Sequence, residues 1–249
     1  QIASSSLDST VKIWDLQTGD LLYNFTDHQG PVNDVAISPD NSIVASASSD
    51  NTVKVWDLNT GELLRNFGHS AAIDSIAIIP NSTTVASDGA DGLIRIWDWR
   101  RPESEALVQC FTAHSAGINA LESTPNRQTL ISSGEDPSAN NQRLNTIKIW
   151  QLPSAELRRT LTSQPLAVES LSIGPGGQSL AVGSHDELTN VGQKDGIVTV
   201  WDIPSGKIKD SLLVEHASRI NIGPDGTTLA QGELSSVNEE IPIQIWSTQ

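Results

Sequence analysis

The chain has 249 residues, 15 of them basic and 30 acidic, which gives a formal net charge of −15 at pH 7. A field of that sign repels phosphate, so the composition argues against nucleic acid and anionic membranes as partners. The single cysteine, Cys110, cannot form an internal disulfide, and no apolar run approaches the ~18 residues that a membrane-spanning helix needs.

Six short runs of alternating apolar residues divide the chain into repeats, and each run ends in a tryptophan. The tryptophans are Trp14, Trp56, Trp97, Trp150, Trp201 and Trp246, spaced by 42, 41, 53, 51 and 45 residues. Alternation of this kind predicts β-strands. A repeat of about 40–45 residues is typical of a propeller blade with four strands.

The segments between the tryptophans also read as strands. A Thr-Gly turn follows Trp14 and Trp56 and predicts a hairpin to an outer strand. In each repeat the strand after this hairpin ends at a proline turn, and a strand of small residues comes next. The prolines are Pro39, Pro80, Pro125, Pro175 and Pro224. No stretch shows a capped helical period. We therefore expect an all-β array of four-stranded antiparallel blades.

Two short motifs carry a family resemblance. Four of the six tryptophans precede an aspartate, at Asp15, Asp57, Asp98 and Asp202, whereas Gln151 and Ser247 depart from the pattern. A Gly-His pair is intact at Gly68-His69 and degenerate at His28 and His114, and each histidine lies 11 residues before its turn proline. The chain resembles the WD-repeat β-propeller family over essentially its whole length. The similar first three repeats resemble bacterial tandem WD repeats in particular.

This resemblance implies an internal hydrogen-bond set in each complete blade, in which a serine accepts from the indole and a histidine links that serine to a carboxylate. The second repeat would join His28, Ser46, Asp50 and Trp56, and the third would join His69, Ser87, Asp91 and Trp97. Leu144, Gln164 and Glu240 interrupt the pattern later in the chain. We expect the later blades to be fixed less rigidly.

The strands predicted in the first and last repeats bear on whether the blades form a complete ring. The chain begins inside the second strand of its first blade and stops after the third strand of its last. We therefore predict one propeller domain over residues 1–249, with six blades represented in an incomplete ring from a seven-bladed parent. A six-bladed parent, or two chains that pair at their open edges, are the alternatives.

Insertions lengthen three consecutive repeats between their second and third strands, so they share one end of the blades. We predict a protein or peptide partner there, contacted by Glu135, Asp136, Arg143, His185, Asp186, Glu187, Lys194 and Glu239. Drifted loops without a partner are the alternative.

A second candidate contact set lies at the same end, where the first strand of each blade begins. Equivalent positions hold Asn33, Asp74, Asn119 and Glu169, which would surround the channel mouth. Relatives in the family commonly bind peptides in this region. The structural alternative is that these side chains cap the strand starts by local hydrogen bonds.

Catalytic chemistry is not indicated. Three of the five histidines occupy equivalent repeat positions, which favours a structural role, and the sequence predicts no catalytic, cofactor-binding or metal site. Quinone-dependent propeller enzymes place tryptophan after Thr-Gly, but here it comes before. We expect a non-catalytic cytoplasmic scaffold for protein–protein interaction. The alternatives are a regulatory or sensor module of a larger kinase or nucleotide-binding ATPase and, less favoured, a propeller enzyme.

Overall fold

The computed structural model describes residues 1–137, 143–162, 167–185, 196–214, 219–223, 225–226, 228–232 and 244–247. The chain divides into two compact units, Gln1–Ser123 and Thr124–Gln249. The described residues form antiparallel strands, with one 3₁₀ turn at Glu103–Glu105 as their helical element. The predicted all-β fold built from propeller blades is confirmed.

The first unit contains three sheets, in which neighbouring strands follow chain order. The first sheet comprises β1 (Ile2–Ser5), β2 (Val11–Trp14) and β3 (Leu21–Phe25). The second comprises β4 (Val32–Ile37), β5 (Ile43–Ser48), β6 (Thr52–Asp57) and β7 (Leu63–Gly68). The third comprises β8 (Ile76–Ile78), β9 (Thr84–Ser87), β10 (Leu93–Asp98) and β11 (Leu107–Thr112), and β12 (Ile118–Ser123) ends the unit.

The second unit repeats this arrangement. Its first strands are β13 (Thr129–Pro137), β14 (Arg143–Gln151) and β15 (Glu156–Thr162), which pair in that order. A four-stranded sheet follows, with β16 (Ala167–Ile173), β17 (Ser179–His185), β18 (Gly196–Asp202) and β19 (Lys207–Val214). The last sheet contains β20 (Arg219–Ile222), β21 (Thr228–Gly232) and β22 (Gln244–Ser247).

The apolar core lies between successive sheets. In the first unit, Trp56 packs with Val11 and Ile13 of the preceding sheet, and its ring centroid lies 4.8 Å from that of Phe25. Trp97 stacks on Phe67 in the same way, also at 4.8 Å. Trp56 and Trp97 thus cover the outer strand of the blade before them, because large apolar rings contribute most where they are fully buried.

A register shift precedes five of the tryptophans, between the third strand of each blade and its outer strand. It falls at Ile13/Trp14, Val55/Trp56, Ile96/Trp97, Ile149/Trp150 and Val200/Trp201. A β-bulge of this kind bends the strand and increases its twist. The turn that follows needs glycine, since Gly61 has φ +75° and a Cβ there would lie 2.7 Å from the Tyr23 ring.

Candidate interaction site

The histidine set of the second blade is built around Asp50. His28 contacts Asp50 Oδ2 through Nδ1 at 2.8 Å and Ser46 Oγ through Nε2 at 2.7 Å. Burial raises the pKa of Asp50, but hydrogen bonds from Thr52, Gln29 and His28 outweigh it and lower the pKa to about 2. An ionised carboxylate only accepts, so Nδ1 of His28 carries the proton and donates to Asp50.

Trp56 does not complete this set as predicted. Its indole Nε1 donates to Asp27 Oδ2 at 3.3 Å rather than to Ser46. Asp27 occupies the place of glycine in the Gly-His pair, so its side chain supplies a charged acceptor that glycine lacks. The indoles of Trp14, Trp97 and Trp150 donate to serine, as in Trp97 to Ser87 Oγ at 2.9 Å. Trp201 donates instead to Thr199 Oγ1 at 3.0 Å.

The third blade departs from the prediction at Asp91. His69 Nε2 contacts Ser87 Oγ at 2.7 Å, but the guanidinium of Arg95 lies between His69 and Asp91. Arg95 reaches His69 Nδ1 at 3.1 Å with Nη1 and Asp91 Oδ2 at 2.8 Å with Nη2. The predicted direct link from His69 to Asp91 is therefore wrong, because the side chain of Arg95, two residues before the tryptophan, is long enough to lie between them.

Arginine also fixes the protonation of His69. A guanidinium only donates, so Nδ1 of His69 must accept and Nε2 must carry the proton that goes to Ser87. Burial, followed by the charge of Arg95, lowers the pKa of His69 to about 4. The histidines of the second and third blades therefore hold opposite tautomers. In the second blade Lys54 takes the place of Arg95 and donates instead to Asn66 Oδ1 at 2.9 Å.

A different carboxylate serves the blade that lacks the expected aspartate at Leu144. Asp136 Oδ2 pairs with Lys148 Nζ at 2.7 Å and accepts from the Thr146 hydroxyl at 2.5 Å. The ladder of β13 and β14 continues to the Pro137–Arg143 pair. The segment from Glu135 was predicted as the start of an insertion loop. Because the strand pairing continues, Glu135 and Asp136 lie in a strand instead.

The other predicted contacts of the insertions are only partly described. The backbones of Arg143 and His185 lie in β14 and β17. Asp186, Glu187, Lys194 and Glu239 lie outside the described residues. These contacts stay predictions.

The predicted channel-mouth set begins with Asn33 and Asp74 in the first unit. Asn33 Nδ2 lies 2.8 Å from Ile73 O, 3.3 Å from Asp74 Oδ1 and 3.0 Å from Ser49 Oγ. Asp74 lies at the surface, and the partial desolvation it has there raises its pKa. The structure thus brings Asn33 and Asp74 together. Asn119 is exposed on β12.

Two members of this set, Asn33 and Glu169, are the extra residues of β-bulges. In the pairing of β4 with β5, Val32 faces Ser48 and Asp34 faces Ala47, which leaves Asn33 as the extra residue. In the second unit, Val168 faces Ser184 and Ser170 faces Gly183, so Glu169 is the extra residue of β16. A bulge re-aims a side chain out of the regular pleat.

The residue after each bulge ties two inner strands together. Asp34 Oδ2 accepts from the Ser75 hydroxyl at 2.9 Å and the Ile76 N–H at 3.0 Å. Ser75 Oγ accepts in turn from the Leu121 N–H at 3.1 Å. In the second unit, Ser170 Oγ accepts from the Ile220 N–H at 3.1 Å. Sequence reasoning missed these links, although the polar residue directly after Asn33, Asp74 and Glu169 was a visible signal.

A second set of hydrogen bonds that the sequence analysis did not predict joins outer strands to the next blade. Equivalent outer-strand side chains donate to a backbone carbonyl in the following turn: Tyr23 to Asn59 at 3.3 Å, Arg65 to Arg101 at 3.1 Å, and Arg159 to Pro204 at 3.2 Å as well as to Ser205. Tyr23, Arg65 and Arg159 each lie nine residues after a tryptophan. That spacing was the signal that could have found them.

Within the described part of the chain, no group of three or more His, Cys, Asp or Glu residues is arranged to hold a metal ion. No helix among the described residues is long and apolar enough to span a membrane.

Comparison with known proteins identifies the repeats. The family model "WD domain, G-beta repeat" matches residues 1–15, 19–57, 61–98 and 105–141, together more than half of the chain. The F-box-like/WD repeat-containing protein TBL1X of Mus musculus is 51% identical over 39 residues, 16% of this chain and 7% of that protein. The WD40 repeat-containing protein HOS15 of Arabidopsis thaliana is 46% identical over 44 residues, 18% of this chain and 7% of that protein. These matches therefore span less than a tenth of the relatives' length.

Proposed function

The chain belongs to the WD-repeat family, and from this premise we propose that it is a non-catalytic scaffold for protein–protein interaction. WD40 repeats in general mediate such interactions. The contact surface we propose in the first unit consists of Asn33, Asp74 and Asn119, and is called the rim below. Glu169 holds the same strand position in the second unit. A further proposed contact region is formed by the strand ends at Glu135, Arg143 and His185, together with the insertions that they flank.

The observation that carries this proposal is the pair of bulges at Asn33 and Glu169. A bulge interrupts the ladder, so it is unfavourable unless another interaction compensates. Here the residue after each bulge makes the link between inner strands, while the bulged residue itself leaves the regular pleat. A side chain presented in this way on a rigid sheet is suited to contact a partner.

Charge indicates the kind of partner. The chain has a net charge of −15, and the rim contributes Asp74 in an environment that already raises its pKa. A negative carboxylate that is partly desolvated is stabilised by a cation. We therefore propose a protein or peptide that presents basic side chains, and neither nucleic acid nor an anionic membrane.

Site-specific crosslinking tests the rim. A photoreactive residue at position 119 should capture a protein from extract of the source cells, and the purified partner can then be titrated against variants. Asp74→Ala should weaken binding at least tenfold. Glu62→Ala is the matched control, because Glu62 is also exposed but lies in the β6–β7 turn at the other end of its blade. Equal affinity for both variants would refute the rim as the contact surface.

A further inference from the structure

Asp88, directly after β9, is a fully buried carboxyl group that the hydrogen-bond sets above do not use. Its exposed fraction is 0%, and it stands where the neighbouring blade has Ala47. Oδ1 accepts from the backbone N–H of Asp74 at 2.9 Å and of Ser75 at 3.0 Å. Oδ2 is buried without a hydrogen-bond partner among the described residues.

These two bonds explain why β8 is short. β4 spans six residues, but β8 spans only Ile76–Ile78. The carboxyl group of Asp88 accepts hydrogen bonds from the amides of Asp74 and Ser75, which lie just before the strand. Asp88 therefore holds the amides of the segment that carries Asp74. Other contacts of this segment are those of Asn33 with Ile73 O, those of Asp34 with Ser75 and Ile76, and backbone hydrogen bonds at Ala72, Ile73 and Ser75.

The charges around Asp88 are predominantly negative. Asp74 on the preceding segment and Asp34 on β4 both oppose ionisation of Asp88. The nearest cation along its own chain, Arg95 on β10, already donates to Asp91, His69 and Ser70. On β12, which reaches Ser75 through the Leu121 N–H, the ionisable residue is Glu122. Burial is the largest cause that raises the pKa of Asp88 well above its usual value.

We propose that Asp88 is a neutral carboxylic acid in the folded protein at neutral pH and that it acts as a pH-sensitive latch on the Asp74 segment. While it holds its proton, Asp88 stays buried and keeps the amides of Asp74 and Ser75 bonded. Once it ionises, the buried charge requires water, and the segment before β8 is the part whose displacement admits water with the least loss of strand pairing. The latch concerns the fold itself and stands whether or not the rim binds a partner.

The first test follows the carboxyl carbon of Asp88 by NMR in a pH titration of the whole chain, with Asp88→Asn used to assign the resonance. We expect the chemical shift of a protonated acid at pH 7, with the change to a carboxylate only at higher pH. An Asp88 resonance that titrates near pH 4 would overturn the proposal. Asp74→Asn is the control, because removing that negative charge should move the Asp88 transition to lower pH without abolishing it.

The second test compares unfolding of the natural chain with Asp88→Asn, whose amide oxygen still accepts the two N–H groups. The pKa of Asp88 is raised on folding, so the unfolded chain loses this proton near pH 4 while the folded chain keeps it. The unfolding equilibrium constant of the natural chain should thus rise relative to the variant by about tenfold per pH unit above pH 4, until Asp88 ionises. A ratio that does not change with pH would overturn the proposal.

Hydrogen exchange tests the movement without any variant. The protection factors of the Asp74 and Ser75 amides, corrected for the intrinsic pH dependence of exchange, should fall in the pH range where Asp88 ionises. The amides of β9 should keep their protection there. If the two amides stay protected while Asp88 is ionised, Asp88 is a buried acid but not a latch, and the proposal is wrong on that point.

Discussion

Breaking the histidine–aspartate pair should reveal a strong coupling in the second blade and a much weaker one in the third. The perturbation is a double-mutant cycle in each blade: His28→Ala with Asp50→Ala, and His69→Ala with Asp91→Ala. The two pairs are equivalent by sequence position. They differ because His28 contacts Asp50 directly, whereas Arg95 lies between His69 and Asp91.

The expected magnitude follows from burial and geometry. The 2.8 Å contact in the second blade joins side chains that are 1% and 9% exposed, so little water replaces it when it is lost. A hydrogen bond to a charged group contributes about 1.5–3 kcal/mol, and we expect a coupling energy of about 2 kcal/mol. His69 and Asp91 are linked only through Arg95, and Asp91 is 24% exposed, so their coupling should be smaller, on the order of 0.5 kcal/mol.

Urea denaturation at pH 7 measures these free energies of unfolding. If a histidine-to-alanine variant does not fold, His28→Gln and His69→Gln replace it, since Gln164 holds this position in the fifth repeat. Equal coupling energies in the two blades would refute the reasoning, because they would mean that the intervening guanidinium does not change the set.

Two further predictions concern the charges of other blades. His69 binds a proton less readily in the folded chain, where its pKa is about 4 instead of the ordinary 6.5. Its contribution to the free energy of unfolding is therefore fully present above pH 6.5 and falls by about 3 kcal/mol as the pH is lowered to about 4. His69→Phe should abolish this pH dependence in urea denaturation at pH 7, 5.5 and 4. Asp136→Asn should lower the stability of the second unit by about 2 kcal/mol, because it removes the charge that pairs with Lys148 at 2.7 Å. The exposed Glu156→Gln should change the stability by less than about 0.5 kcal/mol, and equal effects of the two variants would count against a structural role for Asp136.

The strands could be predicted from the sequence because they repeat. Tryptophan, the Thr-Gly turn and the proline turn recur at nearly fixed spacing, and each has a local physical reason to do so. The same holds for His28, Ser46 and Asp50, whose positions place them in one blade. The repeat pattern therefore predicted the features that the blades share.

The features found in one blade could not be predicted in this way. Arg95 and Lys54 occupy the same position, and only the three-dimensional distance to His69 shows that the arginine separates it from Asp91. Asp136 compensates for Leu144 from a different strand, so no spacing along the chain relates the two residues. Asp88 occurs in a single repeat, and its importance depends on burial, which the alternating pattern does not report.

At the bulges of β4 and β16, one residue contributes to the proposed contact surface and its neighbour makes the hydrogen bonds between inner strands. Asn33 is the extra residue of a bulge, while its neighbour Asp34 makes the bonds to Ser75 and Ile76 that tie two inner strands together. The same division holds between Glu169 and Ser170. A change at Asn33 or Glu169 therefore leaves the bonds of Asp34 or Ser170 in place, because the two neighbouring side chains leave the backbone in different directions. At Asn33 the change also removes the contact to Ile73 O. This arrangement allows each blade to offer a different side chain, and it gives a physical reason for a rigid array of repeats to serve as a scaffold.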